Sequence, residues 1–261
     1  DLHRRRHSFP TRRSSDLGST ALIWAASKGF SDIIKLLIEE GVDLNEKDLK
    51  GSTALMWASA TNHIDCMKLL VEAGAELDNR DLKGSTVLTW LSSKGDESSV
   101  RYLINAGANI NVQDLDGNTP LMWASSTNHI GIAKALIEAK AELNILDKNH
   151  NTALMWASAN GHVEIVKMLI DAGAEIDTVD KKKNTALMWA ASKGHVEIVK
   201  HINQFITTEA TNVSDEIPKE CTKQKNKMYQ QFQKDGCIDS FKIDTFPAIP
   251  KVNFQNYIKE V

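Results

Sequence analysis

The sequence has few of the residues that build cross-links, metal sites or membrane spans. Its three cysteines are too scattered for a disulfide framework, and Cys221 and Cys237 lack the paired spacing and the neighbouring His of a zinc site. No apolar run approaches the ~20 residues of a membrane helix. The basic start, His3-Arg4-Arg5-Arg6, precedes no apolar stretch and so is no secretory signal. We therefore expect a cytoplasmic protein, in a reducing intracellular compartment, with no bound metal.

Sequence motifs of catalysis are missing as well. The chain has no glycine-rich phosphate loop, no nucleophile elbow and no zinc-binding helix motif. Adjacent acids such as Glu39-Glu40 are typical of a solvated helix face. We therefore expect a protein that is not an enzyme and that has neither catalytic residues nor a cofactor.

What the sequence does contain is a period of 33 residues. All six tryptophans obey it: Trp24, Trp57, Trp90, Trp123, Trp156 and Trp189. A fixed spacing in so rare a residue indicates one supersecondary unit repeated six times. Such units pack only on their neighbours, so function is to be sought on an extended surface rather than in one central pocket.

Each unit has the pattern of two helices. In the fifth, Thr152 precedes an Ala-Leu-Met run and is expected to be the N-cap of a short helix that ends near Asn160-Gly161. A second, amphipathic helix begins at Val163, and Gly173 is expected to end it in the left-handed conformation. In the fourth unit Pro120 occupies the first helical position, which suits proline.

These motifs resemble the ankyrin repeat family. The resemblance rests on stretches such as Asp48-Leu-Lys-Gly-Ser-Thr-Ala-Leu-Met-Trp-Ala and Gly74-Ala-Glu-Leu-Asp, and it covers residues 18–206. It implies an all-α solenoid in which a helix-turn-helix and a β-turn or hairpin loop form each unit. The units are expected at 18–50, 51–83, 84–116, 117–149, 150–182 and 183–206.

The chain departs from the family pattern at several positions. Lys140 stands where four other units have glycine, and Asn62 and Asn128 replace glycine at the turn between the helices. The third unit is the least regular, so units three and four are expected to be the least stable. His63, His129, His162 and His195 occupy one position of separate units, where they cannot converge on a reacting atom. We expect them to cap turns.

The two ends do not follow the repeat. Residues 7–17, His-Ser-Phe-Pro-Thr-Arg-Arg-Ser-Ser-Asp-Leu, resemble a translated sequencing adapter, so residues 1–17 are interpreted as a non-native leader, or alternatively as a native disordered arm. Without them Lys and Arg number 26 against 32 acids, and the net charge changes from −3 to −6. Residues 207–261 are expected to form a linker and tail, weakly helical at 218–234 and otherwise irregular. The absence of an initiator Met suggests a fragment.

The candidate contact residues lie at the turn tips and along the first helices. The Trp rings either pack between first helices or line a groove as aromatic anchors. At the tips, leucine either projects as apolar contact surface or folds back over the hairpin; in ankyrin repeats, the resemblance implies, the two residues after the tip Asp touch partners. The predicted set is Leu49, Lys50, Trp57, Leu82, Lys83, Trp90, Leu115, Asp116, Trp123, Lys148, Asn149, Trp156, Lys181, Lys182 and Trp189.

The resemblance implies a non-catalytic protein-protein interaction module, whether adaptor, scaffold or inhibitor. An alternative is a regulatory array of a larger enzyme or channel. Nucleic acid is not an expected partner, because the acidic balance left without the leader lacks the basic stripe that a phosphate backbone requires. We expect a monomer that binds another protein.

Overall fold

The computed structural model describes residues 19–212, with side chains described through residue 207. This part of the chain forms twelve α-helices and no β-strand. The helices are α1 (Ala21–Lys28), α2 (Ser31–Glu39), α3 (Ala54–Ala60), α4 (Ile64–Glu72), α5 (Val87–Lys94), α6 (Glu97–Asn105), α7 (Pro120–Ser126), α8 (Ile130–Glu138), α9 (Ala153–Asn160), α10 (Val163–Asp171), α11 (Ala186–Ser192) and α12 (Val196–Asn212).

The helices pack as six antiparallel pairs placed side by side. Each odd-numbered helix contacts its own even-numbered partner and the odd-numbered helices of the adjacent pairs. Even-numbered helices also contact each other along the stack, in the pairs α2 and α4, α6 and α8, α8 and α10, and α10 and α12. The result is an elongated all-α solenoid, as the 33-residue period predicted, in which each pair depends on the next for burial of its apolar face.

Threonine caps every first helix. Thr152 Oγ1 accepts the backbone N–H of Met155, and the equivalent threonines of the other five pairs make the same contact. Such a cap satisfies a donor that the helix itself cannot pair, which stabilises the helix by about 1 kcal/mol. Pro120 opens α7 at its first position, as predicted.

Left-handed residues end the helices where the sequence predicted them. Gly161 caps α9 with a φ of 80°, and Gly173 follows α10 with a φ of 89°. Asn62, Asn128 and Lys140 also adopt positive φ, as expected from their place in the repeat. His150 and Lys183 also have positive φ, which was not predicted. They lie at the tip position that Gly51, Gly84 and Gly117 occupy in other units.

The core is a continuous column between the two layers of helices. Ile34, Met67, Val100 and Val166 hold one position in four of the second helices, and all are buried. Met56, Met122 and Met155 on the first helices are buried as well. Full burial of a side chain of this size contributes about 2 kcal/mol. Cys66 also lies in this core.

The last helix runs beyond the predicted end of the array. We expected a linker to begin at residue 207, but α12 continues to Asn212. Ile206 stands at the position of Gly173, so no glycine is present to end the helix with a left-handed turn. Phe205 and Ile206 instead pack against the core. The leader at 1–17 and the predicted helix at 218–234 lie outside the described residues.

Candidate functional site

A carboxylate at each described turn tip binds the tryptophan of the unit that follows it. Trp57 Nε1 donates to Asp48 Oδ2 at 2.8 Å. The same bond recurs in the next four units at 3.0 to 3.2 Å, in the pairs Trp90–Asp81, Trp123–Asp114, Trp156–Asp147 and Trp189–Asp180. Each of these indole donors is therefore engaged within the protein, while its ring stays half-buried.

The same aspartates also hold the tip backbone in shape. Asp48 Oδ1 accepts the backbone N–H groups of Lys50 and Ser52, both at 2.8 Å. Asp48 is buried, and a buried carboxylate needs such donors to replace lost water. The arrangement is repeated at Asp81, Asp114, Asp147 and Asp180. At every turn tip from Asp48 onward, these hydrogen bonds to the aspartate therefore fix the conformation of the backbone.

Backbone hydrogen bonds join each tip to the next. The N–H of Leu82 donates to Lys50 O at 2.9 Å, and the N–H of Leu115 donates to Lys83 O at 2.8 Å. Lys148 and Lys181 continue the row by donating to Asp116 O and Asn149 O. The tip residues predicted as contacts are therefore brought together in one row along the stack.

The repeated histidines join neighbouring units, which corrects their predicted role. His129 and His162 occupy N-cap positions without capping their own helices through the side chain, and His195 directly precedes α12. Their Nε2 atoms instead lie 3.1 to 3.2 Å from the carbonyl oxygens of Ser93, Ser126 and Ala159 in the preceding unit. Because a carbonyl oxygen only accepts, Nε2 carries the proton. The ring extends away from its own helix, toward the unit before it.

Hydrogen bonds between loop residues also connect neighbouring units. Asn45 Oδ1 accepts the backbone N–H of Glu76 at 2.9 Å, and Asp78 Oδ1 accepts that of Asn109 at 2.9 Å. Asn111 and Asn144 repeat the contact in later units. An open depression of about 630 Å³ lies here beside Lys47, Glu76 and Arg80. The polar groups that line this depression already form hydrogen bonds between units, so the depression does not resemble a ligand pocket.

The tip leucines point to solvent. Leu49, Leu82 and Leu115 are 64%, 69% and 57% exposed. These leucines therefore project as apolar surface and do not fold back over the hairpin. The polar tip residues of the predicted set are exposed too: Lys50, Lys83, Asp116, Lys148, Asn149, Lys181 and Lys182.

The sequence matches the family description "Ankyrin repeats (3 copies)" over residues 5–81, 74–147 and 132–209. The chain belongs to the ankyrin repeat family. The first match begins within the segment interpreted as a leader. No curated protein matches the chain. Ankyrin repeats are generally protein-protein interaction modules.

In this ankyrin stack the predicted residues fall into two groups. The tip residues are exposed and contiguous, whereas Trp57, Trp90, Trp123, Trp156 and Trp189 are half-buried and bonded to the tip aspartates. Trp24, left out of the predicted set, is 42% exposed. The Nζ atom of Lys50 lies 5.9 Å from the centroid of the Trp57 ring, so tip and first helix meet at that unit.

Two exposed apolar tip residues escaped the sequence analysis. Leu146 and Val179 directly precede the tip aspartates Asp147 and Asp180, and both are exposed. They extend the apolar row into units four and five, where the residues after the aspartate become basic. The signal was present in the sequence, because the position before Asp is charged or polar in earlier units, as in Lys47, Arg80 and Gln113.

The shifted ionisable groups of the ankyrin stack lie away from the tips. Burial raises the pKa of the Cys66 thiol, against an opposing hydrogen bond with Ser31. Asp96 caps α6: its partial burial raises the pKa, but hydrogen bonds from Ser99 and Ser98 outweigh this effect and lower it overall. Both groups therefore act in packing and helix capping.

Within residues 19–212, no group of three or more His, Cys, Asp and Glu residues is placed to hold a metal ion. No helix of the same region is both long and apolar enough to cross a bilayer. The feature that distinguishes this ankyrin surface is therefore the tip row.

Proposed function

We propose that this ankyrin array is a non-catalytic module that binds another protein through its turn tips and the first helices beside them. As an adaptor, scaffold or inhibitor it acts in the cytoplasm as a monomer. The supporting observation is the solvent-exposed row of Leu49, Leu82 and Leu115, in a position where a turn ordinarily carries polar residues.

The rigidity of the tips favours binding. The hydrogen bonds that each tip aspartate accepts, together with those between neighbouring tips, already fix the backbone that a partner would touch. Little conformational freedom is then lost on association, so more of the contact energy is available as affinity. The exposed leucines need no rearrangement to reach a partner.

The order of residues along the row indicates the partner's chemistry. Units one to three present leucine, and units four and five present Lys148, Lys181 and Lys182 on a scaffold with acidic balance. A partner with an apolar patch beside an acidic one would match both parts. Oppositely charged surfaces raise the rate and specificity of association.

Affinity capture with the full chain as bait tests the proposal. A matched bait carries Leu49→Ser, Leu82→Ser and Leu115→Ser, which should retain helical content and thermal midpoint because the three side chains are exposed. We expect the bait with the three leucine substitutions to lose specific partners that the unchanged chain retains. A control bait with Val196→Ser removes an exposed apolar residue outside the tips and should capture normally.

A charge-reversed bait carrying Lys148→Glu, Lys181→Glu and Lys182→Glu tests the basic end. We expect slower association and a weaker dependence on salt. Equal capture by the leucine-substituted bait and the unchanged chain would reject contact through the tips.

A further inference from the structure

Charged residues are divided unequally between the two layers of the stack. Within residues 19–207, the turn tips and first helices carry nine lysines, all exposed, and six aspartates. The remaining residues of this region carry 18 acids against nine lysines and arginines. The acidic balance of the whole sequence conceals this difference, because it averages over both layers. The tips and first helices together form a basic face on an otherwise acidic protein.

Five of the six aspartates on this face are turned toward their own tips. Asp48, Asp81, Asp114, Asp147 and Asp180 are buried or half-buried, and each accepts backbone N–H groups and a tryptophan N–H. Such donors stabilise a carboxylate inside the protein. Among the described residues of the basic face, Asp116 is therefore the one exposed acid.

The lysines form two rows that border the tryptophans. The tip row contains Lys50, Lys83, Lys148 and Lys181, and the second row, at the ends of first helices, contains Lys28, Lys94 and Lys193. Each lysine of the second row follows a tryptophan by four residues and so lies on the same face of the helix. Nζ of Lys28 lies 5.7 Å from the centroid of the Trp24 ring, and Nζ of Lys50 lies 5.9 Å from that of Trp57. Both rows therefore adjoin one column of aromatic rings.

The charges of the tips follow a fixed order and spacing. Along the stack the exposed charged side chains are Lys50, Lys83, Asp116, Lys148 and Lys181, so a negative charge interrupts two positive pairs. Adjacent first helices pack directly on each other, which places their axes about 8–10 Å apart. A polyproline II helix advances about 9 Å in each turn of three residues, and every third side chain lies on one side of it. Its period therefore matches that of the tips.

We propose that the basic face binds an extended peptide in the polyproline II conformation, with acidic side chains at every third position and a basic one opposite Asp116. The inference rests on the proposed function, because it names the chemistry of the partner that the tips bind. A nucleic-acid backbone or an anionic bilayer carries uniform negative charge, which Asp116 repels. A peptide can change the sign of its charge at that position, and such complementarity gives specificity.

Labelled peptides of equal composition test the spacing, with the full chain and fluorescence anisotropy. The complementary peptide has five Xaa-Pro-Pro triplets, in which Xaa is Glu, Glu, Lys, Glu and Glu. Its isomer has the four Glu residues together at one end. We expect the complementary peptide to bind about tenfold more tightly, because the isomer cannot place each carboxylate beside a lysine and exposed ion pairs each contribute little. Equal affinity for the two isomers would overturn the proposal.

Substitutions test which lysines the peptide contacts. Lys83→Ala with Lys148→Ala should weaken binding of the complementary peptide about tenfold. Lys134→Ala with Lys200→Ala removes the same charge from exposed positions of second helices and should leave binding unchanged. Equal losses in the two double variants would show that only net charge matters, and would reject the proposed site.

Asp116→Lys tests the interruption of the row. This substitution should weaken binding of the complementary peptide and strengthen binding of a peptide with Glu in all five triplets. The same change for both peptides would contradict a basic residue opposite Asp116.

Other occupants give different results. Sedimentation of the chain with phosphatidylserine vesicles, while neither isomer binds, would replace the peptide by a membrane surface. Self-association that salt reverses would identify the acidic layer of a second copy as the occupant. If the peptides fail while the leucine-substituted bait still loses its partners, this inference is rejected and the proposed function stands. If that bait captures normally while the complementary peptide binds, contact through the leucines is rejected instead.

Discussion

Trp156 Nε1 donates to Asp147 Oδ2 at 3.2 Å, while Asp147 Oδ1 accepts the backbone N–H groups of Asn149 and Asn151. One buried carboxylate therefore connects the first helix of a unit to both arms of the turn before it. The shape of the proposed contact surface depends on this connection, because the carboxylate accepts the N–H of the tip residue Asn149.

Replacing Asp147 by Ala is expected to lower the free energy of unfolding by about 2–3 kcal/mol, because a carboxylate with several hydrogen bonds is removed and its donors lose their partner. Trp156→Phe removes only the indole bond and should have the smaller effect, about 1 kcal/mol. Urea unfolding followed by circular dichroism measures both. A larger loss for Trp156→Phe than for Asp147→Ala would mean that ring packing, rather than the carboxylate, holds the tip.

Gly161 and Gly173 form a matched pair. Both have positive φ, so alanine at either is strained by about 1 kcal/mol. A Cβ at Gly161 would also lie 2.7 Å from Cε1 of His195, whereas a Cβ at Gly173 meets nothing within 4 Å. We expect Gly161→Ala to be clearly more destabilising than Gly173→Ala in thermal unfolding.

Adding His195→Ala to Gly161→Ala should recover part of the difference, since the clashing ring is gone. Strict additivity of the two substitutions would show that the His195 ring does not press on this position.

Lys140→Gly is expected to stabilise the protein by about 1 kcal/mol, because Lys140 has a φ of 67° and a residue with a Cβ is strained there. Differential scanning calorimetry should show a higher midpoint. Lys140→Ala is the control: it removes the same charge but keeps a Cβ, so its midpoint should not rise. A rise of equal size in both variants would attribute the effect to charge.

Ser125→Ala is expected to raise stability by about 1 kcal/mol, because the Ser125 hydroxyl is fully buried and has no hydrogen-bond partner. Ala26 and Ala191 already occupy this position in the end units. Ser59, at the same position, donates to Leu55 O at 2.9 Å, so Ser59→Ala should show less gain or a loss. Chemical denaturation of both variants checks the contrast, and equal gains would mean that the hydrogen bond of Ser59 contributes nothing.

Local chemistry explains why the fold could be predicted so fully. The tryptophan period defined the units, and threonine, glycine and asparagine marked helix ends that the structure confirms at Thr152, Gly161 and Asn62. Lys140 was predicted in the left-handed region because its neighbours in the repeat are glycines, and it adopts that conformation. Each of these features depends on residues close in sequence.

Contacts between units were harder to predict. His195 bonds to a carbonyl 36 residues away, so its role depends on how neighbouring units are placed. The bond between Asp147 and Trp156 had a readable signal, since aspartate precedes tryptophan by nine residues in five units, but only the fold shows that the two side chains meet. The length of α12 likewise depends on what Phe205 and Ile206 find to pack against.

The row of tip hydrogen bonds runs lengthwise through the molecule, yet each bond reaches only the adjacent tip. A tensile load applied at the two ends would therefore meet one interface at a time, and the remaining helix pairs would keep their shape while the weakest one opens. Extension would therefore come in steps of one helix pair, and re-docking of that pair would restore the original length.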